Sequence, residues 1–146
     1  MSVSSAYTWG EVIPSPLPTG VIGIPMLWGY TNAAAFQAKA TQGYASYALG
    51  MNEYVPRVPL ASRSYLLPRP NEPSQANMSG EEGANMWIQY MNPLRALGYH
   101  LISPACTNDD AGKQWYTDFF GNCSGACYVR HMCDTNQSYR LHFLPG

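Results

Sequence analysis

Short apolar runs and helical patterns alternate along this chain, and no other feature restricts its fold as much. Val21–Trp28, VIGIPMLW, follows the Pro- and Gly-bearing stretch EVIPSPLPTG. Its length, its Ile/Val content and its flanks predict a buried strand. Pro25 has no N–H to give a ladder, so it fits only at an edge, a bulge or a ladder gap. Asn32 opens the alanine-rich NAAAFQAKATQ, which reads as a helix with an asparagine cap. SYALGM, residues 46–51, is a second predicted strand. Ser79 and Glu82 then have the spacing of a capping box. Ala84, Trp87, Ile88 and Met91 lie beyond it on one helical face. Pro93 should kink or break that helix, and Gly98 can end its second piece. HLISPA, residues 100–105, is the third predicted strand, and KQWYTDFFGNC, residues 113–123, the third helix.

Strand–helix alternation implies parallel strands joined by crossover helices. A closed barrel takes eight such units and typically about 250 residues, whereas this chain has 146. The predicted class is therefore α/β: a small open domain, or a partial (β/α)8 TIM-barrel-like sheet of about three to four β/α units. In either architecture the functional groups gather just past the C-terminal ends of the strands. Trp28, Asn52-Glu53 and Ser103-Pro104 fall there.

Composition narrows the function. Charged residues make up 12% of the chain and the net charge is −1. No Lys/Arg run is present, so nucleic acid is not an expected partner. No stretch reaches the roughly 18 apolar residues of a membrane span, so no membrane is expected either. The first residues, MSVSSAYTWG, have neither the basic nor the apolar part of a signal peptide. Cys106, Cys123, Cys127 and Cys133, with Asn-X-Ser at Asn77, Asn122 and Asn136, point instead to an oxidising compartment. Cys123 and Cys127 are spaced to close a small disulfide loop if oxidised. Those cysteines and His131 do not match a zinc pattern, so no metal and no cofactor are expected. The 4 Trp and 11 Tyr either pack a core or line a cleft of flat rings suited to sugars. Trp28 is the best stacking candidate, with a packed core ring as its alternative. Trp115, at a helix start, could line the same cleft or pack between helices.

Two segments fit no pattern. Tyr54–Arg69 holds three prolines and three arginines and has neither helical nor strand period. A structureless loop of that length is unusual in a compact domain. The tail from Tyr128 is similar: both segments open on Tyr-Val, and they close on Leu-Pro-Arg and Leu-Pro-Gly.

The other pieces carry a resemblance. IPMLWG (24–29), YALGMNE (47–53), PNEPSQANMS (70–79) and GYHLISPA (98–105), followed by GKQWYTDFFGNC (112–123), resemble glycoside hydrolase family 128. Its members are mostly fungal enzymes that act on β-1,3-glucan. The resemblance runs in order over nearly all of residues 7–127. It implies a polysaccharide substrate, a secreted or cell-wall setting, no obligate protein partner, and a retaining mechanism with two carboxyl groups about 5–5.5 Å apart. Glu53 matches the acid/base position, and Asn52 the residue that binds a sugar hydroxyl beside the reacting carbon. Ser103 lies in a matching strand-end motif near substrate. The family nucleophile is a glutamate on a later strand. Glu72, Glu81, Glu82, Asp109, Asp110 and Asp118 are the remaining nearby acids, and none matches it.

In the family the Asn-Glu-Pro motif runs straight into the helix start. Removal of Tyr54–Arg69 would join GMNE to PNEPSQANMS. The expected organisation is one partial catalytic domain over residues 1–146, with a foreign insertion at 54–69 and a non-native tail at 128–146. Both segments then read as translated introns; the alternative is a genuine loop and a genuine tail. Three functions are compatible with this organisation: a β-1,3-glucanase incomplete in its nucleophile, a non-catalytic glucan-binding module, or a product without activity.

Overall fold

The computed structural model describes residues 4–51, 76, 78–106, 110–133 and 141–143, the side chains of Ser4, Cys133 and 141–143 excepted. The segment 54–69 lies outside the described residues. Strands β1 (Ser4–Tyr7), β2 (Val21–Ile24), β3 (Tyr47–Leu49), β4 (His100–Ile102) and β5 (His131–Cys133) run with helices α1 (Ala33–Lys39), α2 (Gly80–Met86) and α3 (Asp110–Cys123) between them. A last strand, β6 (Leu141–Phe143), is antiparallel to β5.

The pairing is parallel from β1 to β5, as the alternation requires. β1 pairs with β2 from Ser4↔Val21 to Tyr7↔Ile24, and β3 with β4 from Tyr47↔His100 to Leu49↔Ile102. A bridge between Met26 and Leu49 joins these two pairs. No closed barrel forms among the described residues. Pro25 occupies a ladder gap: its neighbour Met26 donates to Gly10 O at 2.8 Å, and its own carbonyl accepts from Leu49 N at 3.0 Å. Pro25 thus meets β3 through its carbonyl, while the chain still meets the β1 side through Met26.

Strand alternation separates two apolar faces. Leu27, Ala48 and Leu101 belong to the larger cluster, with Phe36, Ala84, Trp87 and Phe119 of the helices. Ile24, Met26, Leu49 and Ile102 form a second cluster with Ala105. Trp87 anchors the first. It is fully buried, and Phe119 meets it edge-on at 5.8 Å. Among the described residues its Nε1–H has no hydrogen-bond partner. An orphaned donor costs about 1–3 kcal/mol. Burying some 150–250 Å² of aromatic surface returns about 4–6 kcal/mol, so the ring stays inside.

Helix α2 begins as its spacing predicts. Ser79 Oγ accepts from Glu82 N at 3.2 Å, and Glu82 Oε2 accepts from Ser79 N at 2.7 Å. Pro93 does not break the helix. The chain widens into a π turn over Trp87–Met91, then tightens into a 3₁₀ segment over Asn92–Leu97. A proline cannot donate the i→i−4 bond and its ring crowds the preceding turn, and the wider turn before it relieves both. Gly98, with φ 91°, ends the segment in the left-handed region. Cys123 and Cys127 are bonded, closing the turn after α3. Asn92 holds that turn from the other side, donating to Ala126 O at 2.7 Å and accepting from Tyr128 N at 3.1 Å. Residues 128–133 then enter the sheet: Arg130 N donates to Leu101 O at 2.9 Å and Ser103 N to His131 O at 2.8 Å.

Helices α2 and α3 touch backbone to backbone. A Cβ at Gly80 would lie 2.6 Å from Asp118 Cβ and 2.7 Å from Phe119 N. A Cβ at Gly121 would meet nothing within 4 Å. Gly80→Ala should therefore cost about 1–3 kcal/mol through overpacking. Gly121→Ala should be neutral or stabilise by up to about 1 kcal/mol. Denaturant midpoints should move in these directions; equal midpoints for the two variants would refute the close packing of α2 on α3.

Candidate functional site

The candidate site is the C-terminal edge of the parallel strands, with β3 between β2 and β4. Leu27 N donates to Leu49 O at 2.9 Å and Gly50 N to Ile102 O at 3.1 Å. Ala105 N donates to Met51 O at 2.8 Å, so the chain is held on both sides at Leu49 and on the β4 side as far as Met51. Glycine is needed just before it. A Cβ at Gly50 would fall 2.6 Å from Trp87 Cζ3 and 3.0 Å from Pro104 N. Asn52 and Glu53, the acid/base pair expected from the sequence, come next in the chain and lie outside the described residues.

Trp28 stands at the neighbouring strand end. It is half-buried and packs against the cluster of Ile24, Met26, Leu49, Ile102 and Ala105. Its loop is fixed by Asn32. Asn32 Oδ1 accepts from Trp28 N at 3.0 Å and from Gly29 N at 3.2 Å. Its Nδ2 donates to Met26 O at 3.1 Å and to Glu11 Oε2 at 3.2 Å. The sequence pattern makes Asn32 a helix cap. It does precede α1, but its side chain makes no capping bond to that helix. The amide serves the loop behind it, bonding two backbone N–H groups and one carbonyl.

Ser103, expected near substrate, and Trp115, expected either in the cleft or packed between helices, are both buried. Ser103 is fully buried; its hydroxyl donates to Pro104 O at 2.9 Å and lies 3.3 Å from Tyr116 OH. Tyr116 OH also donates to Pro104 O. Trp115 is buried between α3 and α2, stacked on Phe119 at 5.3 Å, with its Nε1 donating to Met78 O at 2.8 Å. A Cβ at Gly83 would lie 2.7 Å from Trp115 Cζ2. Trp115 is committed to packing because the face of α3 that carries it and Phe119 is the face that meets α2.

Among the sequence's other acids, Glu72 and Asp109 lie outside the described residues. Glu81, Glu82, Asp110 and Asp118 are exposed on α2 and α3. Glu82 closes the capping box, Asp110 pairs with Lys113 at 2.8 Å and Asp118 accepts from Gln114 at 2.9 Å. Tyr30, beside Trp28, directs its hydroxyl at Glu82 O, 3.4 Å away. Partial burial, then the charge of Glu82 and the neighbouring Tyr90, hold its phenol above the usual range, so it stays protonated. Among the described residues no three His, Cys, Asp or Glu side chains gather as metal ligands.

Two residues of this edge are not signalled by the sequence pattern. Trp9 follows β1, is 56% exposed and meets Tyr7 edge-on at 6.1 Å. Glu11 lies close behind it, tied to Asn32. The signal for Trp9 is the pairing of β1 beside β2, which four residues of low apolarity, SSAY, do not announce.

Asn32→Ala would leave the N–H groups of Trp28 and Gly29 to water. These groups are part-buried, so a loss of about 1–2 kcal/mol is expected. Limited proteolysis should cut between Trp28 and Asn32 faster than in the parent chain; unchanged stability and cleavage would show that the clasp is incidental.

Three comparisons place this geometry among known proteins. The profile of the glycosyl hydrolase catalytic core family matches residues 1–139. No curated protein matches. Among solved structures, a family 128 subgroup II endo-β-1,3-glucanase from Sorangium cellulosum shares 28% identity, with a TM-score of 0.60 over 88% of this chain and 50% of that one. A subgroup I endo-β-1,3-glucanase from Amycolatopsis mediterranei, in complex with laminaritriose, shares 26% identity at a TM-score of 0.60 over 88% and 46%. A subgroup VII oligosaccharide-binding protein from Cryptococcus neoformans has the same fold, with a TM-score of 0.64 at 22% identity over 88% and 47%. The chain thus spans about half the length of the structures it matches. On the family profile, the chain belongs to the glycosyl hydrolase catalytic core family, and it is similar in structure to family 128 glycoside hydrolases.

Proposed function

We propose that the chain carries the acid/base half of a retaining β-1,3-glucanase site. One observation supports this most: the backbone that follows β3 is still bonded at Met51, which accepts from Ala105 N at 2.8 Å, and Asn52-Glu53 comes directly after it in sequence. Catalytic carboxylates on parallel α/β sheets stand at such strand ends.

In this reading Glu53 gives a proton to the leaving glycosidic oxygen. A second carboxylate attacks the anomeric carbon from the opposite face. Water then resolves the glycosyl–enzyme, with Glu53 acting as base. Asn52 holds the hydroxyl next to the reacting carbon, and Trp28 stacks on a sugar ring. The described acids are engaged on helix surfaces or, for Glu11, against Asn32. The nucleophile is accordingly assigned outside the described residues. A second reading, glucan binding without hydrolysis, is favoured by the fold shared with the Cryptococcus neoformans oligosaccharide-binding protein.

Binding and turnover separate the readings. The chain should pellet with insoluble β-1,3-glucan; failure to pellet would overturn both. By itself it should release no reducing ends from laminarin above a blank, because one carboxyl cannot run a double displacement. When the chain is continued by a strand that supplies the second glutamate, laminarin turnover should appear. Glu53→Gln should then lower it by about 10²–10⁴-fold. Glu72→Gln should change it by less than about threefold, under roughly 1 kcal/mol. If the continued chain binds glucan but stays silent, the binding reading prevails. If Glu72→Gln is the silent variant instead, Asn71-Glu72-Pro73 is the working motif.

A further inference from the structure

We propose that Asn122 is an N-glycosylation acceptor, loaded before Cys123 bonds to Cys127, and that it carries its glycan at the end of the sheet opposite the candidate site. Asn122-Cys123-Ser124 is one of three Asn-X-Ser triplets in the chain. Such triplets are short and arise by chance, so their surroundings have to discriminate. Asn77 and Asn136 lie outside the described residues. Asn122 stands in the last turn of α3 and is exposed, as are Gly121, Ser124, Gly125 and Ala126 around it. A Cβ at Gly121 or at Gly125 would meet nothing within 4 Å. The neighbours of the amide along the chain thus leave room for a sugar. Asn122 Nδ2 donates to Asp118 O at 2.8 Å. An amide nitrogen has two hydrogens. Glycosylation replaces one and leaves the other, so the glycan and this bond are compatible.

The acceptor is remote from the strand-end edge. α3 starts at Asp110, beyond the C-terminal end of β4, and returns toward the start of β5 at His131. Its 14 residues cover about 20 Å at the usual helical rise. The turn that follows is tied to the segment leading into the start of β4, because Asn92 Nδ2 donates to Ala126 O at 2.7 Å. A hydrated glycan on Asn122 therefore covers the N-terminal side of the strands and leaves the C-terminal edge open.

Folded α3 is not a substrate for the transfer. The transferase takes an unfolded segment, with the Asn amide and the Ser hydroxyl both presented to it. In the folded chain Asn122 is helical and Ser124 is left-handed, with φ 47° and its hydroxyl donating to Gly121 O at 3.4 Å. The middle residue, Cys123, is buried and bonded to Cys127. Transfer must therefore precede both the last turn of α3 and the disulfide. In that step Asn122 Nδ2 bonds to the anomeric carbon of a polyprenyl-diphosphate-linked oligosaccharide. The anomeric C–O bond breaks, polyprenyl diphosphate leaves, and a basic group of the transferase takes up one amide proton. Closure of Cys123–Cys127 by exchange with an oxidised thiol partner withdraws the triplet, so the two reactions compete for one newly made segment.

The test makes the full chain behind a cleavable secretory leader in a eukaryotic host. Peptide N-glycosidase in heavy-oxygen water turns each glycosylated asparagine into a labelled aspartate, and mass spectrometry of the peptides assigns the position. A label at Asn77 or Asn136 is thereby told apart from one at Asn122. Asn122 should be labelled in the parent, and Ser124→Ala should abolish that label. Cys127→Ser keeps the triplet but cannot close the loop, and should raise the labelled fraction toward completion. Transfer precedes folding, so total cell protein is measured beside the secreted chain, and a variant that folds poorly still reports. An unlabelled Asn122 in the parent, or a label that survives Ser124→Ala, would overturn the acceptor. Equal and partial labelling of the parent and Cys127→Ser would overturn the competition with the disulfide.

Discussion

The structure depends on a three-residue strand that is bonded on both sides. β3 receives from Leu27 and gives to Pro25 on one flank, and reaches Ile102 and Ala105 on the other. Each bond is ordinary and contributes about 0.5–1.5 kcal/mol net. Their joint effect is geometric. They bring the strand ends of β2, β3 and β4 to one level, and that level is where Trp28, Met51 and Ala105 stand. Because Gly50 passes between Trp87 and Pro104 with no room for a Cβ, the strand cannot shift without displacing a fully buried indole. The core on the helix side therefore fixes the edge on the site side.

Much of this was legible in the sequence, and the reasons differ residue by residue. The Ser79–Glu82 box was legible because both partners lie within one turn and their bonds are local. The central parallel strands were legible because β2, β3 and β4 are apolar runs of the right length. β1 and β5 were not, since SSAY and HMC have no period of their own and become strands only by pairing with neighbours distant in sequence. Asn32 does stand at a helix start, but its bonds go elsewhere, because a cap and a loop clasp look identical until the loop's path is known. Pro93 changed the helix gauge rather than ending the helix, because Asn92 N could still reach Trp87 O five residues back.

The candidate site divides along the same line. Trp28 followed from its place at the end of an apolar run. Trp115 and Ser103 also stood near strand or helix ends, yet packing absorbed both. For Trp115 this follows from the close contact of α2 and α3 through Gly80 and Gly83, a three-dimensional fact that helical periodicity cannot supply. Trp9 shows the converse: its neighbourhood exists only because β1 lies beside β2.

Two asparagines hold the loops on which this edge relies. Asn32 fixes the Met26–Gly29 turn, and Asn92 fixes the disulfide-closed turn that leads into β5. An amide suits both places. It offers two donors and an acceptor with two lone pairs, so it can bond N–H and C=O groups of one loop at once. It carries no charge, so partial burial does not exact the penalty of an ion. A chain with 12% charged residues has few ions to use for this purpose, and aspartate could satisfy only half of each clasp. The same preference for neutral groups suits the proposed ligand: a neutral sugar chain would be recognised by rings and hydrogen-bonding dipoles, not by counter-charges.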